Sequence, residues 1–128
     1  MKVKSILCIF ISLAILILWG CGPSVYRMYS GPQLSKNQVA LLRYQSWNSV
    51  IIINFIDGRD IQKVDEIQLL PGNHKVQVGY SNSVRRSRND KLINFTAEAG
   101  HIYGINFSTD SGFTWWDAWI EDISNKLR

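Results

Sequence analysis

Few side chains in this 128-residue chain have the types and spacing that chemistry requires: two cysteines, two histidines, one arginine cluster and a group of tryptophans. Cys8 lies inside an uncharged apolar run from Ser5 to Trp19, and Cys21 stands just beyond that run between Gly20 and Gly22. A metal site needs three or four converging ligands. No Cys, Asp or Glu is read at short spacing to His74 or His101, so both are expected as turn residues just before strands. Neither adjoins a serine or cysteine nucleophile motif, and Ser81-Asn82-Ser83 lacks the glycine context of a nucleophile elbow. The expectation is no metal, no cofactor, no catalytic residue and no enzyme activity.

Arg85, Arg86 and Arg88, with Lys91 nearby, form the basic cluster. Two readings stand: a solvated hairpin tip, or contact with an acidic partner or lipid phosphates, whose oxygens an arginine fork pairs bidentately. Trp115, Trp116 and Trp119, together with Trp47, make the chain aromatic-rich. They either fill the core or form an aromatic docking surface for a protein partner or for stacked sugars.

What positions these groups begins with the leader. Met1-Lys2-Val3-Lys4 places two positive charges before the apolar run. That run is shorter than the roughly 20 residues a membrane-spanning helix needs, and it matches the h-region of a secretory signal. Gly22, Pro23 and Ser24 then oppose helix where a stop-transfer anchor would show basic flanks. Leu18-Trp19-Gly20-Cys21 resembles the lipobox of bacterial lipoproteins, with Leu three places before the cysteine and Gly directly before it. The resemblance implies diacylglycerol on the Cys21 thiol, cleavage before Cys21 and acylation of the freed amine, for example by palmitate. Trp19 departs from the small residue usual at its place, which predicts slower processing. Gly22 after the cysteine is similar to the sorting pattern for outer-membrane delivery, facing the periplasm. Each buried methylene contributes about 0.8 kcal/mol and one chain holds only marginally, so several chains make the attachment durable.

Residues 1–20 are thus expected to be a helical signal peptide, leaving 108 residues with one core and one cysteine. A structural disulfide within one mature chain is excluded. The formal charge falls from +4 to +2 when Lys2 and Lys4 leave, too little to argue for nucleic acid. Residues 21–38, rich in Gly, Pro, Ser, Asn and Tyr, are expected to form a lipidated flexible tether, with a single domain over 39–128.

In that domain Val39 to Tyr44 reads as a strand, and Val50 to Ile56, apolar on both faces apart from Asn54, as a central strand covered on both sides. Asp57-Gly58 is a turn. The next clear strand follows Leu70, with Val76, Val78 and Tyr80 alternating against Lys75, Gln77 and Gly79. Ile93, Phe95 and Ala97 share a face in the strand after it; Tyr103, Ile105 and Phe107 share one in the strand after that. Residues 115–127 fit either a helix or a strand, and the expectation is a strand through Ile120 with a frayed or helical end. Short strands at regular intervals argue for an all-β, antiparallel β-sandwich.

The runs NFIDGRDI, LLPGNHKVQVGY and AEAGHIYGINF resemble the PEGA-type small β-sandwich modules of bacterial envelope proteins. The resemblance covers about residues 50–108 and implies a binding or scaffolding module without catalytic residues. The expected function is a noncatalytic outer-membrane lipoprotein that binds another envelope protein; the alternative is recognition of glycan or anionic lipid headgroups.

Overall fold

The computed structural model describes Gly20 and residues 24–43, 51–61, 64–81, 89–112 and 114–127. These residues form nine strands: β1 (Val25–Arg27), β2 (Ala40–Arg43), β3 (Ile51–Ile56), β4 (Arg59–Asp60), β5 (Glu66–Leu69), β6 (Gly72–Tyr80), β7 (Lys91–Ala97), β8 (Ile102–Thr109) and β9 (Trp116–Asp122), followed by a 3-10 turn at Ser124–Lys126. One sheet runs β1-β5-β2-β8-β9 and the other β4-β3-β6-β7. The chain is therefore the all-β sandwich its alternating pattern predicts. Most pairings are antiparallel, whereas β1 with β5 and β2 with β8 are parallel.

The alternation in β6 to β8 works as expected because each strand buries one face. Val76, Val78 and Tyr80 point inward from β6, and Tyr103 and Ile105 from β8, to meet Leu42, Ile53, Ile56, Ile67 and Leu69 in one core. Across β7, Ile93 and Phe95 pack on that core while Leu92, Asn94 and Thr96 face solvent. β9 also follows the strand reading of the tail, running two residues past Ile120 before the chain turns helical.

β3 corrects an expectation. It is covered on one face only, since Ile52 and Phe55 stay exposed at 37% and 38%. A register shift between Ile53 and Phe55 makes Asn54 an extra residue, so Ile53 and Ile56 both point into the core although three positions apart. The carbonyl of Asn54 accepts the Ile61 N–H at 3.0 Å. Its side-chain amide donates to Asp90 at 2.7 Å. At the other end of β3, Asp57 and Gly58 both adopt positive φ, 50° and 77°, the two-residue turn in which Asp-Gly is favoured.

Three strands, β1, β4 and β5, have no counterpart in the sequence reading. β4 is only two residues long, and β5 is a four-residue strand with Gln68 between Ile67 and Leu69. β5 nevertheless lies inside its sheet, between β1 and β2, with Ile67 and Leu69 wholly buried. Within the stretch read as a tether, Val25–Arg27 forms β1 and pairs with Glu66–Gln68. Tyr29 donates its hydroxyl proton to the buried Gln68 side chain at 3.0 Å and accepts the Leu34 N–H at 3.2 Å. Chain from Ser24 onward is thereby attached to the sheet.

Candidate functional site

Cys21 and the arginine cluster, Arg85, Arg86 and Arg88, lie outside the described residues, as does Trp47. The three tail tryptophans divide. Trp116 faces inward, packing on the core, with its ring 6.2 Å from Tyr80 and the Lys91 ammonium 5.7 Å above it. Trp115 and Trp119 are exposed at 55% and 45%. Strand alternation explains the division: Trp116, Ala118 and Ile120 share the core side of β9, and Asp117 and Trp119 the solvent side. An aromatic surface on this edge strand thus consists of two rings rather than three.

Trp115 sits on the turn joining β8 to β9, and that turn is built around one carboxylate. Asp110 Oδ1 accepts the backbone N–H of Thr114 at 2.7 Å and of Trp115 at 3.0 Å, and Oδ2 accepts the Thr114 hydroxyl at 2.5 Å. The Thr109 hydroxyl closes the turn by donating to the Trp115 carbonyl at 2.7 Å. The Thr114 hydroxyl and these N–H donors hold the Asp110 carboxyl below the usual carboxylate range.

The opposite end of the sandwich carries both histidines, each on an aspartate. His74 stands inside β6 rather than in a turn before it. Its Nδ1 meets Asp57 Oδ2 at 2.6 Å and its Nε2 meets the Leu70 carbonyl at 2.7 Å. Both partners are hydrogen-bond acceptors. Asp57 Oδ1 also accepts the Lys75 N–H at 2.8 Å. Burial raises the Asp57 pKa, but the Lys75 N–H and His74 outweigh it and leave the carboxyl below its ordinary value.

His101 immediately precedes β8, as expected, and its Nδ1 contacts Asp122 Oδ2 at 2.5 Å. Asp122 Oδ1 accepts both the N–H and the hydroxyl of Ser124, at 2.9 and 2.5 Å. The Ser124 side chain, and then His101, depress the Asp122 pKa from 3.8 to about 2. This trio is not arranged as a nucleophilic triad, in which the histidine lies between serine and aspartate. Here the aspartate is in the middle, and Ser124 Oγ accepts the Ile102 N–H at 2.9 Å while giving its proton to Asp122. Contrary to the spacing argument, a carboxylate does stand near His101: Glu98 Oε2 is 3.6 Å from Nε2. Glu98 and Asp122 approach opposite nitrogens of the ring and do not converge on a common point. Among the described residues no group of three His, Cys, Asp or Glu side chains could hold a metal ion.

A file of rings joins the two histidines across the sandwich. His74 lies 6.0 Å from Phe95, Phe95 packs edge-on against Tyr103 at 5.3 Å, and Tyr103 stacks with His101 at 6.4 Å. Burial pushes the Tyr103 phenol up, against the Glu98 N–H that it accepts at 3.0 Å; Asp122 and Glu98 add to the rise. Beside His74 an open groove of about 440 Å³ is bordered by Asp57, Asn73, Lys75, Asn94, Phe95 and Thr96. Its chemistry is hydrogen bonding beside one aromatic ring. The sequence shows the Asp57-Gly58 turn, but nothing in it pairs Asp57 with His74 or Asp122 with His101, which are 17 and 21 residues apart. No helix among the described residues is long and apolar enough to cross a membrane. Compared with protein-family models, with curated proteins and with solved structures, the chain matches none of them.

Proposed function

We propose that this protein is a noncatalytic lipoprotein of the bacterial cell envelope, anchored by acyl chains on Cys21 to the outer membrane, whose PEGA-like β-sandwich binds another envelope component. The observation that carries this reading is the order of features in the leader: two lysines, an uncharged apolar run, then Leu18-Trp19-Gly20-Cys21. Support for a binding role comes from the fold's exposed aromatics, Trp115 and Trp119, and from histidines whose ring nitrogens face carboxylates or a carbonyl instead of a nucleophile. The test is incorporation of radiolabelled palmitate in cells expressing the wild type or Cys21→Ala, with membrane fractionation. The wild type should carry label and sediment with the outer membrane, and Cys21→Ala should do neither. Equal labelling of the two proteins would sink the proposal.

A second reading, recognition of glycan, is favoured by the groove beside His74, which Asn73, Asn94 and Thr96 border with hydrogen-bonding side chains. Such amides and a hydroxyl suit a sugar's hydroxyls. Calorimetric titration with cell-wall glycan fragments should give heat that Asn94→Ala removes; no heat with the wild type overturns this second reading.

A further inference from the structure

We infer that the sandwich stands end-on upon the phospholipid surface, with the β8–β9 turn and Trp115 in the headgroup layer and the two His–Asp pairs at the end remote from the bilayer. This orientation rests on the lipid-anchor reading above.

The first argument is the length of free chain. Ser24 is fastened to the domain by Asp65: its N–H and its hydroxyl both donate to Asp65 Oδ2 at 2.9 Å, and its carbonyl accepts the Asp65 N–H at 3.0 Å. Only Gly22 and Pro23 separate Ser24 from Cys21. Three residue steps span at most about 11 Å. A domain anchored at Cys21 is held against the lipid, without a long leash on which to turn.

The second argument is direction. The register aligns Val25, Glu66, Arg43, Gly104 and Glu121 in one row across the five-stranded sheet. β1 runs parallel to β5, and β5 is antiparallel to β2, which is parallel to β8. Chain preceding Val25 therefore approaches from the end toward which β8 runs. Beyond that row β8 continues five residues to Thr109 and β9 returns from Trp116. At about 3.3 Å per residue the turn projects roughly 16 Å past the row, and the four residue steps from Val25 back to Cys21 span at most about 14 Å.

The third argument is chemical. The turn presents Trp115, exposed at 55% and held in place by the Asp110 network. Tryptophan favours the membrane–water boundary, where its ring is apolar and its N–H finds water or phosphate. The Asp110 charge is engaged by N–H and hydroxyl donors, and the Lys91 ammonium over Trp116 lies at the same end.

After removal of the leader Cys21 is the sole cysteine and is acylated, so a cysteine introduced elsewhere is the sole free thiol. Ser111→Cys on the turn and Glu98→Cys at the remote end are labelled with a fluorophore in the native lipidated protein. Each is reconstituted into phosphatidylethanolamine–phosphatidylglycerol vesicles containing a headgroup-linked quencher. The label at 111 should be quenched several-fold more than the label at 98. Insertion of twelve Gly/Ser residues between Gly22 and Pro23 should largely erase that difference, because such a linker reaches about 20 Å in any direction. Equal quenching at the two positions, or stronger quenching at 98 than at 111, overturns the orientation. Mass spectrometry of the same samples separates the two levels: an unmodified Cys21 refutes the lipid anchor, whereas an acylated Cys21 with equal quenching refutes the orientation alone.

Discussion

Aromatic rings meet between the sheets at both ends of the sandwich, Phe95 with Tyr103 at one and Tyr80 with Trp116 at the other, but the ends differ in what lies beyond those rings. At the end carrying the histidines, aromatic packing crosses between the sheets: Phe95 of one touches Tyr103 of the other, and each histidine of the ring file is tied to an aspartate. At the end carrying Trp115, a single carboxylate organises a projecting turn whose largest side chain is exposed at 55%. The first end spends its polar groups on itself, and the second leaves an apolar ring unspent. Substitutions at the first should therefore cost stability, and substitutions at the second should cost an interaction.

The largest effect is expected from Phe95→Ala, which removes the ring that links the sheets. Large-to-small aromatic changes in cores cost about 3–5 kcal/mol, and the half-buried position places this one at the lower end, about 2–3 kcal/mol in urea denaturation. A cost below that of an ordinary surface change would erase the contrast between the ends. Tyr29→Phe should cost about 1–2 kcal/mol, because the buried Gln68 side chain loses its donor. That variant sharpens the comparison by showing that the segment before β2 is fastened as firmly as the strands.

Acid should act on the histidine end next. Asp122 has a folded pKa of about 2 against an ordinary 3.8, and Asp57 is shifted in the same direction. A depressed carboxylate contributes stability above its unfolded pKa and loses it as pH falls through the folded value. The unfolding midpoint should thus drop as pH falls from about 4 to 2, and Asp122→Asn should reduce the slope; solvent screening at this exposed pair keeps the effect modest. An unchanged slope in the variant would assign the acid sensitivity elsewhere. The smallest effect on folding belongs to Trp115→Ser, expected within about 0.5 kcal/mol of the wild type. The same variant should weaken the interaction of the turn with lipid vesicles, read as a loss of the blue shift of tryptophan emission on vesicle addition. A large destabilisation would show that the ring serves the fold.

Much of this architecture is legible in the residues. Alternation in β6, β7 and β8 is visible because each strand is long enough to show a period of two and buries one face. β3 misleads through its bulge: one extra residue at Asn54 lets an apolar run bury Ile53 and Ile56 while exposing Ile52 and Phe55. β5 escapes notice because four residues containing a glutamine carry too few periods to register, although its burial is complete at Ile67 and Leu69. Trp115, Trp116 and Trp119 are identical as letters, and their separate fates depend on which side of β9 each one falls.

Local features settle themselves along the chain: an apolar run followed by a cysteine, turns at Asp57-Gly58, strands that alternate. Pairing across the sandwich does not, because hydrogen bonds between residues some twenty to forty positions apart depend on how the sheets stack and in what register. The closeness of Ser24 to Asp65, of His101 to Asp122, and of the β8–β9 turn to the end of the sheet at which the chain enters β1 are all of this second kind. They exist only once burial of the shared core has brought the strands together.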